Sequence, residues 1–344
     1  MDQLAVSSVF GVIASLAILG NLILTIMLVT KKAVFRQTYN VLIMNLAVCD
    51  VLTGVFLLVT PGYAIPPQSF PRLTGIGGKV FCRLVFSTYC IFVLGKASNA
   101  TIMCIAIERW YAVVMPTKYK AKFGRRRIYG YIGLIWLSAS ITEIFELFIT
   151  KLGSDGRCRW VTPFYGVTLE NAFVVLHITI TFYIPSVVTW ASFGHIWIRL
   201  RQDPMRVYRD ALRNFPGNSY YTVLSQSIHR NRTMQRVVRM CALAALFLTV
   251  CWLPIETFWI LKKYQIVILT QDYYMGFSML AFFSACVNPM LYCLANRTYR
   301  REVFRLCTRH SRVIPYESRD KGDQISLENL PGMKDCTNAV DSTN

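Results

Sequence analysis

Ile102–Met115 reads IMCIAIERWYAVVM, and the way this run ends decides what kind of chain it belongs to. Back to Arg83 the only charged residue is Lys96; the apolar run then stops at an adjacent acid and base, Glu108 and Arg109, followed by Trp110, Tyr111 and Pro116. On a membrane helix this pair falls where hydrocarbon gives way to water, and aromatic rings beside it suit the headgroup level. Two readings fit. Arg109 is a snorkelling interfacial arginine anchored by Trp110, or it is a switch held by Glu108 until something else competes for it.

The whole chain of 344 residues is 54% hydrophobic and carries a net charge of +19. The basic residues come in bursts between long apolar runs, which points away from nucleic acid and toward a bilayer. Seven runs are long enough to cross one, within 6–30, 39–63, 80–112, 128–150, 170–198, 236–261 and 272–294. The expected fold is an all-α membrane protein, a seven-transmembrane helix bundle with a short amphipathic surface helix after the last span. Residues 1–307 form that domain, ending in RTYRREVFRLC, and 308–344 read as a disordered cytoplasmic tail. Lysine and arginine crowd the connections after spans one, three and five and the segment after span seven. That bias predicts a multi-pass plasma-membrane protein with its N-terminus outside and its C-terminus inside.

Charges within the spans need partners. Asp50 is the only charge between Arg36 and Arg72. Ser98, Ser284 and Asn288 lie at its depth if spans two, three and seven adjoin. The group reads either as a protonated acid in a polar core or as a site for a small cation such as sodium. Lys96 precedes Arg109 by 109 − 96 = 13 residues, roughly 20 Å along a helix. It is expected deep in the bundle, paired with Glu256 or Glu143. Glu143 and Glu146, spaced i,i+3, are expected on one helical face. These four charges suggest a polar cavity open to the outside, with a buried structural ion pair as the alternative. Pro185, Pro254 and Pro289 each free a backbone carbonyl and bend their helices. With Trp252 beside one and Asn288 beside another, they read as hinges. Cys82 and Cys158 are the only cysteines expected in outer loops, so a disulfide between them is open.

In order, Gly20-Asn21, Asn45-Leu-Ala-x-x-Asp50, Glu108-Arg109-Trp110, Trp136, Pro185, Cys251-Trp-Leu-Pro254 and Asn288-Pro-x-x-Tyr292 resemble the rhodopsin-like (class A) G-protein-coupled receptors across every span. The resemblance implies a receptor that activates a heterotrimeric G protein, with arrestin and receptor kinases as further partners. Glu108, Arg109, Trp110 and Tyr292 would form the coupling switch, and Trp252 would sense ligand. Asp50, Ser98, Ser284 and Asn288 would hold an allosteric sodium ion, with no other cofactor. Cys82 and Cys158 would be bridged, and Cys307 lipidated.

Some positions depart from the family pattern. Trp110 replaces the usual tyrosine, Phe193 stands where a hydroxyl usually supports the active state, and Leu248 stands where a phenylalanine usually packs, with Phe247 one place off. Cys82 lies 109 − 82 = 27 residues before Arg109, about two more than usual, so the top of span three is expected to bulge. Ile91 or Tyr89 occupies the position of the amine-binding acid of aminergic receptors, and Phe282 that of the retinal lysine. A peptide or a small organic ligand remains. Lys96, Glu143, Glu146, Glu256 and Trp252 are the pocket candidates, and the acids tilt the choice toward a peptide with a basic or amidated end. The rival reading is a transporter or channel using the same charges as an ion path. No nucleophile–base pair or metal-ligand cluster suggests an enzyme.

Overall fold

Hydrocarbon offers a backbone amide no water, so each crossing segment closes its hydrogen bonds internally, as helix. The computed structural model describes residues 2–30, 37–202, 219–268, 270–295 and 300–301. Six stretches among them are long and apolar enough to cross a bilayer: Gln3–Thr30, Thr38–Val59, Gly75–Val114, Val167–Arg201, Arg232–Lys263 and Gln271–Leu294. The fourth expected span is a shorter helix, Arg125–Thr142, of 18 residues opening on three arginines. It ends earlier than expected, passing into a 3-10 turn at Ile144–Phe148. Glu143 therefore caps the α-helix and Glu146 lies in the 3-10 turn, where residues three apart stack, so the two still line one wall. The expected surface helix, Cys307 and the tail 308–344 lie outside the described residues, apart from Arg300 and Arg301.

The bundle is inverted relative to a water-soluble protein. Leu19, Leu134, Val187 and Leu294 are each 60% exposed or more, whereas Asn21, Asp50, Lys96, Glu108 and Asn288 are each exposed by 4% or less. Apolar side chains face outward on the peripheral spans, as a lipid solvent requires, while the central helix of the third span, Tyr89–Val114, exposes none, and polar side chains find one another inside.

Two departures from an all-α reading shape the end of the bundle that carries Cys82. A hairpin pairs β1 (Thr150–Leu152) antiparallel with β2 (Cys158–Trp160), Leu152 facing Cys158. Cys158 is bridged to Cys82, with Cα atoms 5.4 Å apart. In its turn Gly156 has φ +76°, and a Cβ there would also sit 3.0 Å from the Leu73 carbonyl oxygen, so only glycine fits. The third span carries its extra residues as expected. A π-helical turn at Cys82–Phe86 is followed by Thr88 at φ 67°, and regular helix resumes at Tyr89–Val114. A π-turn is how a helix absorbs inserted residues without losing its register below.

The prolines show how hinge sites are kept dry. Pro185 cannot bond the carbonyl four residues back, and that carbonyl, Thr181 O, accepts instead from Asn99 Nδ2 at 2.6 Å. Pro289 likewise frees Ala285 O, which accepts from Asn21 Nδ2 at 2.8 Å. Gly20, beside Asn21, lets the first span approach; a Cβ there would meet Pro289 Cγ at 3.1 Å. Asn21→Ala is therefore expected to orphan a buried carbonyl and cost about 1–3 kcal/mol. The check is thermal unfolding of the purified protein in nanodiscs; an unchanged midpoint would show that the carbonyl finds another donor.

Candidate functional site

At the disulfide end a cavity of about 850 Å³ opens between the helices, in the size range of small-molecule and peptide-anchor sites. Its floor is an ion pair. Lys96 Nζ donates to Glu256 Oε1, and both side chains are 4% exposed. Of the two acids that could pair with Lys96, Glu256 holds it. Nearer the mouth Lys263 Nζ bonds Glu170 Oε1 at 2.5 Å, and Lys262 Nζ lies 4.6 Å above the Trp259 ring. Glu143 and Glu146 form the remaining acidic wall, with His177 Nε2 3.5 Å from Glu143 Oε1.

Trp252 lies just below. Its ring fits against Gly95, and its Nε1 donates to Ser284 Oγ at 3.1 Å. Phe282 and Phe92 surround it, with centroids 5.9 and 6.4 Å away. Leu248 is buried and Phe247 faces outward at 39% exposure, so Phe247 does not take over the place beneath the indole. One turn beyond Ser284, Asn288 Nδ2 donates to Asp50 Oδ2 at 2.8 Å. Asp50 would supply the charge for a hard cation such as sodium; Asn288 offers it an N–H, so its amide would have to turn over to add an oxygen beside that of Ser98. Ser284 Oγ is engaged, donating to Ala281 O at 2.6 Å while accepting from Trp252.

At the opposite end Arg109 is clamped. Its Nε and Nη2 both donate to the Glu108 carboxylate, a bidentate pair of the strong, geometrically specific kind. The guanidinium also lies 4.3 Å from the centroid of the Tyr39 ring. Tyr119, in the short helix Pro116–Lys122, donates its hydroxyl to Glu108 Oε1 at 2.5 Å. Burial first, then the Glu108 charge, pushes the Tyr119 pKa up to about 12, so it remains a protonated donor. Trp110 Nε1 donates to His195 Nδ1 at 3.0 Å, joining spans three and five. Glu108 is fully buried and Arg109 nearly so, which disposes of the snorkelling alternative. Tyr292 is buried as well.

These observations put a cavity at one end of a bundle and a restrained arginine at the other. Residues 20–292 match the family described as 7 transmembrane receptor (rhodopsin family). The chain belongs to that family. It is a multi-pass membrane receptor of that family rather than an enzyme, and the transporter or channel reading finds no support. The tachykinin-like peptides receptor 99D of Drosophila melanogaster is similar, 24% identical over 89% of this chain and 58% of its own length. The chain thus spans little more than half of that relative. The QRFP-like peptide receptor of Branchiostoma floridae is 26% identical over 94% of this chain and 83% of its own. The melatonin receptor type 1A of Gallus gallus is 26% identical over 96% and 88%.

Tyr39, Tyr119, Asn99 and Thr101 escape a reading of the sequence, and so do the partners of the motif residues Asn21, Asn45 and Trp136. Tyr39 and Tyr119 complete the arginine clamp, and Asn99 and Asn21 seal the proline carbonyls. Trp136 Nε1 donates to Asn45 Oδ1 at 3.0 Å, and Asn45 Nδ2 donates to Thr101 Oγ1 at 2.8 Å, tying spans four, two and three. Tyr119→Phe removes one donor from Glu108. A hydrogen bond to a charged group contributes about 1.5–3 kcal/mol, so ligand-free nucleotide exchange by the G protein is expected to rise several-fold at matched surface density. Unaltered exchange would take Tyr119 out of the clamp.

Proposed function

We propose that this receptor sits in the plasma membrane with its N-terminus outside and its C-terminus in the cytoplasm. Its cavity at the disulfide end would then take an extracellular ligand, and its Arg109 end would meet the G protein. The lysine and arginine excess on the Arg109 side supports the orientation, as does the disulfide at the other end, which needs an oxidising compartment. A peptide is favoured over a small organic molecule. The cavity is wide and strongly charged, and two of the relatives above are named for peptides, against one named for melatonin.

The single observation that carries this reading is the run of buried contacts that leads from the cavity floor toward the clamp as far as Asp50. Lys96–Glu256 forms the floor, Trp252 lies beneath it and bonds Ser284, and Asn288 one turn on bonds Asp50. Ligand that binds better to a second arrangement shifts the population toward it. Movement of Trp252 about Pro254 would swing the inner half of span six, with Pro185 and Pro289 as accompanying hinges. Arg109 then leaves Glu108 for the G protein, and Tyr292 turns inward. Sodium at Asp50, Ser98 and Asn288 would favour the resting arrangement by supplying positive charge to a buried carboxylate. Arrestin and receptor kinases would follow at the same cytoplasmic face.

The test is G-protein dissociation in cells exposed to a broad panel of peptides and small molecules, for wild type and Arg109→Ala at equal surface density. A wild-type response lost in the variant is expected. A response that survives the substitution would remove Arg109 from the coupling role.

A further inference from the structure

The charges lining the cavity do not all have partners within it. Glu256 is held by Lys96 and Glu170 by Lys263, while Lys262 lies over Trp259. Glu143 differs. Its residue is 3% exposed, it lines the cavity, and its Oε1 has no hydrogen-bond partner. The nearest ring nitrogen, on His177, is 3.5 Å away, longer than a hydrogen bond. Glu146, three residues on in the 3-10 turn, lines the same wall, and no lysine or arginine pairs with it among the described residues. A dry carboxylate oxygen without a donor is costly to maintain, and in a cavity open at one end the missing donor can come from a ligand.

We propose that Glu143, supported by Glu146, is the subsite for a single cationic group of the ligand, a guanidinium or primary ammonium. This deepens the receptor reading above and rests on it, because it assumes that the cavity is the ligand site. The geometry assigns distinct roles to the three acids that the sequence grouped together. Glu256 belongs to the cavity floor and is already neutralised by Lys96. Glu143 accepts the ligand's N–H donors, and Glu146 brings a second carboxyl group alongside. A guanidinium suits the pair well, since its planar fork can serve more than one carboxylate oxygen at once.

The experiment uses two probes of nearly equal shape, Nα-acetyl-arginine methylamide and Nα-acetyl-citrulline methylamide, which differ in a guanidinium against a neutral urea. Each is titrated to 10 mM against the full-length receptor in phospholipid nanodiscs, with thermal stabilisation as the readout. The arginine probe is expected to stabilise wild type with an affinity at least tenfold better than the citrulline probe. Glu143→Gln is expected to abolish that preference and Glu146→Gln to reduce it. Equal affinity for the two probes would overturn the proposal, as would no stabilisation by either probe, or a preference that survives Glu143→Gln. Should Glu143→Gln fail to fold, the wild-type comparison and Glu146→Gln still decide. The readout needs no G protein, so its failure is distinguishable from that of the receptor reading. Charge preference together with a panel response that survives Arg109→Ala would leave the subsite and reject the coupling role of Arg109. A panel response that Arg109→Ala abolishes, without charge preference, would do the reverse.

Discussion

Glu256→Gln is expected to cost the receptor about 3–5 kcal/mol, the range for breaking a buried pair and leaving one charge behind. Lys96 and Glu256 are each 4% exposed at the side chain, so each is left poorly solvated once the other is gone. Surface density in cells should fall severely, with a matching drop in thermal midpoint. The pair itself is a different matter. Removing both charges, as in Lys96→Met with Glu256→Gln, leaves no orphaned charge and is expected to recover most of the loss. The comparison is a double-mutant cycle on thermal stability, with a coupling of about 2 kcal/mol or more expected. If Lys96 in the single variant turns to Glu143, Glu143→Gln added to Glu256→Gln closes that route and should deepen the loss. A single variant as stable as wild type, or a double variant no better than the single, would mean the ion pair is not what holds the cavity floor. The pair also joins span three to span six two residues beyond Pro254, so the floor lies beside the hinge that activation is proposed to use.

How much of this could be read from the chain differs between fold and site. The spans were legible because hydrocarbon selects long apolar runs whatever their neighbours are, and the bulge above Tyr89 was legible because two surplus residues must go somewhere. The hairpin was not, since TKL and CRW are too short to show alternation and are held by a disulfide and a glycine turn. Nor was the end of helix Arg125–Thr142. The sequence ITEIFELF has no glycine or proline to stop a helix, and tertiary packing sets the change to 3-10 geometry.

In the site, expense was legible and partnership was not. A lone Asp50 or Lys96 in an apolar run announces that something must satisfy it, but two acids qualified for Lys96 and only three-dimensional distance chose. The same holds for the proline carbonyls. Their positions follow from the sequence by counting four back, yet nothing in the sequence names Asn21 as the donor to a carbonyl 264 residues away. Tyr119 was hidden for another reason: in a basic inner loop a tyrosine reads as an interfacial anchor, and its bond to Glu108 depends on how that loop folds back.

Gly95→Ala should have an effect of similar size, acting on signalling as well as stability. A Cβ at residue 95 would stand 2.2 Å from Cη2 and 2.6 Å from Cζ2 of Trp252, closer than any two carbons tolerate without a shift. The indole is rigid, 5% exposed and bonded to Ser284, so the ring has to leave its seat as a unit. Overpacking costs about 1–3 kcal/mol, and a broken buried hydrogen bond about 1–3 more. Most of that cost falls on the arrangement seen here, in which Arg109 is bound by Glu108. An arrangement with Trp252 moved pays little of it. The population therefore shifts toward the second arrangement, and each 1.4 kcal/mol of difference is worth about tenfold. The expected result is a lower thermal midpoint together with ligand-free nucleotide exchange raised at least tenfold per surface receptor. Gly11→Ala serves as the control, since a Cβ there meets nothing within 4 Å, and it should change neither quantity. Exchange that stays at the wild-type level while stability falls would show that Trp252 fills space without gating the clamp. Wild-type values of both would mean that the indole and residue 95 are not in contact.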